Sequence, residues 1–118
     1  MEEQLGYFAR LPVEQQRQFL RATLRGLDTE ASDTAAVVRA WREGDAAGLE
    51  RLLRKDAAES PELFRVLTTD RNRKWLPRIT ALLDDSRDYL VVVGALHLVG
   101  RDGLVALLRR QGHDPEQH

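Results

Sequence analysis

The sequence predicts a mostly α-helical chain with one buried β-strand near residues 89–95. Six or seven segments place their apolar residues at helical spacing, which is typical of amphipathic helices that pack on a core. One segment differs, because it contains three consecutive valines at positions 91–93, and β-branched residues favour extended backbone. Its apolar residues do not alternate with polar ones, which is typical of a strand covered on both faces in the parallel sheet of an α/β protein.

The composition is that of one globular domain. A chain of 118 residues with 42% hydrophobic residues can form one core but not two. The 18 basic and 19 acidic residues nearly cancel, so we expect no nucleic-acid partner. The absence of cysteine excludes disulfides, thiolate metal sites and a cysteine nucleophile. No apolar run approaches the roughly 20 residues that cross a bilayer, so we expect a soluble chain that does not insert into a membrane.

The first half is predicted to be helical from residue 2 to residue 59, with short interruptions. Helices are expected over residues 2–10, 12–25, 33–43 and from residue 45 onwards. Pro12 fits the first position of the second helix, where a backbone N–H would be unpaired in any case. Gly26 and Gly44 are expected to end the second and third helices, and Asp45 is expected to cap the fourth.

The second half contains three more predicted helices and the strand. Ser60 and Pro61 begin a short helix, and residues 70–84 form another, in which Pro77 either produces a kink or marks the start of the regular helix. A last helix begins near Leu104 and is closed by Gly112. We interpret residues 1–112 as a single domain and residues 113–118 as a disordered tail.

The lone strand raises a problem of hydrogen bonding. Its backbone N–H and C=O groups would be unpaired along both edges. The strand at residues 89–95 is therefore expected to pair either with a second copy of the chain, in a homodimer, or with a part of a longer protein that precedes this sequence.

Several short motifs, taken together in their order and spacing, resemble the C-terminal half of the TraB/GumN family, which is related to Tiki-type membrane metalloproteases. The motifs are Glu-Glu-Gln-Leu at residues 2–5, Trp-Arg-Glu-Gly-Asp at 41–45, Asp-Arg-Asn-Arg-Lys-Trp at 70–75, Val-Gly-Ala-Leu-His-Leu-Val-Gly at 93–100 and Asp-Gly-Leu at 102–104. The resemblance implies an α/β parent fold of more than twice this length, with two Gly-x-x-His motifs. Residues 94–97 match the second motif and nothing here matches the first, so we interpret the chain as a truncated half-domain.

The resemblance also indicates candidate site residues. His97 is the candidate metal ligand, since neutral imidazole binds divalent metals and can alternatively act as a base. Arg71 and Asn72 match an Arg-Asn pair that could orient an oxyanion or a carboxylate; they could equally be a helix-terminal arginine and a backbone-binding asparagine. Gly94 would support the site by allowing close backbone approach.

Three further residues have alternative interpretations. Glu3 could be a ligand or supporting carboxylate, although an acidic residue in the first turn of a helix is expected from the helix dipole alone. Trp41 and Trp75 lie at helical spacing among leucines, so we predict that both belong to the core.

Two functions are compatible with these observations. The first is a metal-dependent hydrolase of the peptidase or esterase type, in which the full-length form binds a divalent metal (manganese, cobalt or zinc) and this chain alone is inactive. The second is a non-enzymatic interaction or regulatory module, which dimerises or complements a partner through its strand. No cofactor other than a metal is expected.

Overall fold

The computed structural model describes the backbone of residues 2–118 and the side chains of residues 6–118. Six continuous helices account for most of this part of the chain. They are α1 (Glu2–Arg10), α2 (Val13–Gly26), α3 (Glu30–Arg42), α4 (Ala46–Glu59), α5 (residues 61–83) and α6 (Leu104–Arg110). A 3₁₀ turn, Ala95–His97, lies between α5 and α6. The mostly helical character predicted from the sequence is confirmed.

Helix α5 is irregular in its first half. It consists of an α-helical turn, Pro61–Phe64, a π-helical segment, Arg65–Thr69, and a regular α-helix, Asp70–Leu83. The backbone N–H of Asp70 donates to the carbonyl of Arg65, five residues back, which is the π-helical pattern. The regular helix begins at Asp70 and continues through Pro77. Of the two alternatives for this proline, a helix that contains it is confirmed and a helix that begins close to it is wrong.

Most helix ends use the local signals that the sequence predicts. Gly44 and Gly112 have positive φ angles of 66° and 90°, and in each case the glycine and the next residue donate to carbonyls of the last helical turn. Asp45 caps α4, since its Oδ1 accepts a 2.8 Å bond from the N–H of Gly48. Helix α3 begins at Glu30, earlier than predicted.

The prediction of a buried β-strand near residues 89–95 is wrong. Residues 88–94 have no regular secondary structure, and residues 2–118 contain no strand. The side chains of Leu90 and Val92 are 90% and 82% exposed. The physical reason is that β-propensity reflects packing on a pleated surface, and no other segment of the described chain provides one. The α/β parent fold is therefore not supported by this part of the chain.

The core lies among α3, α4, α5 and α6. Its most buried apolar side chains are Ala40, Leu49, Leu53, Leu63, Leu104 and Leu107, and Leu11, between α1 and α2, is also buried. Helix α4 packs against both the start of α5 and the 3₁₀ turn, while α6 packs against the regular part of α5. These contacts place residues 94–103, hereafter the His97 loop, alongside α5.

Two glycines shape the His97 loop. Gly100 has a φ of 79°, a conformation that side chains rarely adopt. A Cβ atom on Gly103 would collide with the backbone carbonyl oxygens of Leu98 and Val99. The loop therefore turns back tightly just before α6 begins.

Residues 113–118 have no regular structure but contact the rest of the chain. Gln117 Nε2 donates a 2.8 Å hydrogen bond to the carbonyl of Gly44, and Arg109 Nη2 donates to the carbonyl of Pro115 at 3.2 Å. The disorder of the tail stays a prediction. Within residues 2–118, none of the helices is long and apolar enough to span a bilayer.

Candidate functional site

Asn72 joins the His97 loop to α5. Its side chain is completely buried, with 0% exposure, and it lies in the first turn of the regular part of α5. Its Nδ2 donates to the backbone carbonyls of His97 at 3.2 Å and Asp102 at 2.9 Å. Its Oδ1 lies 2.7 Å from Nδ1 of His97. All three contacts are with the His97 loop, so the buried amide is fully bonded, as burial of a polar group requires.

These contacts determine which nitrogen of His97 carries its proton. Both N–H bonds of the Asn72 amide are already directed at backbone carbonyls, so the amide oxygen must face the imidazole. An amide oxygen can only accept, and therefore His97 Nδ1 must be the donor. In the neutral ring the lone pair then lies on Nε2, which can bind a metal ion or accept a proton.

The surroundings of His97 favour its neutral form. The imidazole is half-buried and its ring centroid lies 4.9 Å from that of Trp75. The guanidinium of Arg71 lies over the ring of the same Trp75, with its Cζ atom 4.7 Å from the ring centroid. Burial lowers the pKa of His97 below its usual value of 6.5, and the positive charge of Arg71 lowers the pKa further. At neutral pH the uncharged form of the imidazole therefore predominates.

An open groove of about 470 Å³ runs between α5 and residues 91–94. Its α5 side presents Arg71, Trp75 and Arg78, and its opposite side presents three valines, Gly94 and His97. Among the side chains of residues 6–118, no aspartate or glutamate lines the groove. The arrangement thus combines a neutral imidazole, two guanidinium groups and an apolar wall.

The structure brings four of the five predicted site residues together. Arg71, Gly94 and His97 line the same groove, and Asn72 lies directly behind it. The side chain of the fifth residue, Glu3, lies outside the described residues. Gly94 is not required by backbone strain, because its φ is −62°, and an added Cβ would make only an ordinary 3.7 Å contact with His97 Cδ2.

Two residues of the site were not predicted. Trp75 was assigned to the core, but its ring contacts both Arg71 and His97. Its position four residues after Arg71 on the same helix was the signal that could have identified it. Asp102 contributes a backbone carbonyl to Asn72, and its carboxylate pairs with Arg73 at 3.2 Å. A backbone acceptor leaves no signal in residue type, so the sequence could not reveal this role.

His97 does not belong to a cluster of three or more metal-binding side chains in the described part of the chain. Among the described side chains, no group of three or more histidine, cysteine, aspartate or glutamate residues could hold a metal ion. The imidazole itself has a feature typical of metal-binding histidines, a hydrogen bond at the nitrogen that is not the ligand. A metal would therefore fit here only if other residues supplied further ligands.

We predict that Asn72→Asp destabilises the fold. The carboxylate has nearly the same shape as the amide, but it cannot donate to the carbonyls of His97 and Asp102, which would lose their partners in a buried position. We expect the free energy of unfolding to fall by about 2–4 kcal/mol at about pH 8, measured by urea denaturation. Gln18→Glu, which makes the same chemical change on the exposed face of α2, serves as the control. Equal stability of Asn72→Asp and the wild type would contradict the bonding described here.

We also predict that His97 titrates below pH 6.5. Because its folded pKa lies below the unfolded value, the folded state binds the proton more weakly. The corresponding stability is fully present above about pH 6.5 and is lost as the pH falls from there towards the folded pKa. An NMR titration measures this pKa, with His97→Gln identifying the signal among the three histidines. A midpoint at or above 6.5 would disprove the assigned environment.

Comparison with known proteins agrees with the motifs. The model of the TraB/PrgY/gumN family matches residues 1–117, which is nearly the whole chain. No curated protein matches the chain, and no solved structure matches it. The relation to Tiki-type metalloproteases stays a prediction. With a family match of this extent, the chain belongs to the TraB/PrgY/gumN family.

Proposed function

We propose that the chain supplies the imidazole of a hydrolytic site, with His97 Nε2 as the ligand of a divalent metal ion. One observation carries this proposal: the 2.7 Å contact between Asn72 Oδ1 and His97 Nδ1 leaves the Nε2 lone pair on a neutral ring at the wall of a groove. Membership of the TraB/PrgY/gumN family supports it, because the resemblance implies metal-dependent relatives. When bound, a divalent ion would activate water against a peptide or ester carbonyl.

The residues around His97 would have different roles. Arg71 lines the groove and would stabilise negative charge that develops on the substrate oxygen. Asn72 has 0% exposure and cannot touch a substrate, so its role would be to position His97. Trp75 contacts both Arg71 and His97 and would hold the two groups in place.

The metal site would need residues beyond those described. Catalytic metal sites usually take three protein ligands, whereas the described side chains contain no group of three or more that could hold a metal ion. Manganese, cobalt and zinc are all compatible with an imidazole ligand. The family resemblance implies a second Gly-x-x-His histidine and a carboxylate, for which Glu3 remains a candidate. We therefore propose that this chain alone does not catalyse hydrolysis.

The alternative function is a non-enzymatic interaction or regulatory module. It is favoured by one observation, the exposure of Leu90 at 90% and Val92 at 82% in a segment of high β-propensity. An apolar segment of this kind can add as a strand to another chain. The partner would be either a second copy of the chain or another part of a longer protein.

Titration with Co²⁺ tests the metal proposal. Co²⁺ is paramagnetic, so its binding to Nε2 should broaden NMR signals of residues 94–98. We expect the broadening to be lost in His97→Ala and kept in His113→Ala, a control outside the groove. Unchanged broadening in His97→Ala would remove the metal role from this residue.

Light scattering on the wild-type protein without Co²⁺ tests self-association, which the alternative function includes. A monomer at micromolar concentration would remove pairing between copies.

A further inference from the structure

We propose that the groove beside His97 binds the anionic group of an amphipathic ligand, a carboxylate or phosphate attached to a hydrocarbon part. The inference rests on the function proposed above, because it names the class of substrate for the same groove. It concerns Arg71 and Arg78 together, whereas the sequence indicated only Arg71.

The first argument is the charge of the groove. Among the described side chains, its lining includes the cations Arg71 and Arg78 but no aspartate or glutamate. Neighbouring arginines on α5 are neutralised locally, since Arg65 pairs with Glu62 and Asp70, and Arg73 pairs with Asp102. Within the described part of the chain, Arg71 and Arg78 have no such carboxylate partner. A positive charge that faces a groove without a counter-ion attracts an anionic ligand.

The second argument is the orientation of Arg71. Its guanidinium lies over the ring of Trp75 at 4.7 Å, and its hydrogen bond to the carbonyl of Leu67 is long, at 3.4 Å. Stacking on an aromatic ring restrains the guanidinium plane while leaving N–H groups along its edge. Those groups match the two oxygens of a carboxylate or phosphate.

The third argument is the spacing of the two arginines. Arg78 follows Arg71 by seven residues on one helix, which places both on nearly the same face about 10 Å apart along the axis. Trp75 lies between them, and Ile79 and Leu82 continue the apolar surface towards the valines at 91–93. A ligand in the groove would therefore meet cationic groups at separate points and hydrocarbon between them. The groove volume of about 470 Å³ lies in the range of ordinary small-molecule sites.

Fluorescence titration of Trp75 tests the inference. In a Trp41→Phe background Trp75 is the remaining tryptophan of the two in the chain, so its emission reports occupation of the groove. The probes are octanoate, octyl phosphate and the uncharged octanamide, with EDTA present to exclude metal ions. We expect at least one anion to saturate the signal and octanamide to bind at least about tenfold more weakly, which is about 1.4 kcal/mol. The preferred anion distinguishes a carboxylate from a phosphate ligand.

Variants identify the residues that bind the anion. Arg71→Gln and Arg78→Gln should each weaken anion binding by about fivefold or more, since a charged hydrogen bond is lost. Arg25→Gln, on exposed α2, is the control and should leave the affinity unchanged. Arg78 is exposed, so its variant should fold normally even if the Arg71 variant does not.

Two results would overturn the inference. One is equal binding of octanoate, octyl phosphate and octanamide. The other is an anion affinity that is unchanged in both single variants, Arg71→Gln and Arg78→Gln. The outcome is separable from that of the metal proposal, because one titration contains EDTA and the other contains Co²⁺ without an anion. Absence of Co²⁺ broadening in the wild type, together with retained anion binding, would overturn the metal-dependent function and support the anion site.

Discussion

The buried amide of Asn72 is the interaction on which the candidate site depends. An unbonded amide at 0% exposure would carry a large desolvation cost, and the His97 loop supplies all three of its partners. The same bonds hold the loop on α5, orient the imidazole and determine which of its nitrogens carries the proton. One side chain therefore contributes both to the position of the loop and to the tautomer of His97.

Helix α5 supplies one side of the site and the His97 loop supplies the other. The π-helical segment Arg65–Thr69 ends just before Arg71 and Asn72, and π-helical irregularities often occur near functional residues. From there, the regular helix places Arg71, Trp75 and Arg78 along the groove. On the loop side, the tight turn through Gly100 and Gly103 brings the carbonyls of His97 and Asp102 to the same amide. The regular helix on one side and the hydrogen-bonded loop on the other favour a preorganised site.

Sequence reasoning succeeded where local chemistry decides the structure. Apolar periodicity predicted most of the helices, and residue type predicted the glycine ends at Gly44 and Gly112 and the cap at Asp45. The motifs also located His97, Arg71 and Asn72, which the structure brings together. The strand prediction failed because the valines at 91–93 express their β-propensity only on a pleated surface, and residues 2–118 offer none. The core prediction was wrong for Trp41, which is 63% exposed, and half-buried Trp75 lines the groove, because helical spacing cannot distinguish a core face from a groove face for an aromatic residue.

The central claim is that Asn72 holds neutral His97 with its proton on Nδ1 and its lone pair on Nε2. Long-range ¹H–¹⁵N NMR of the imidazole above the pKa of His97 measures the tautomer directly. We predict a protonated Nδ1 and an unprotonated Nε2 in the wild type. A proton on Nε2 would contradict the account, because Nδ1 could not then donate to Asn72 and Nε2 would have no lone pair to offer.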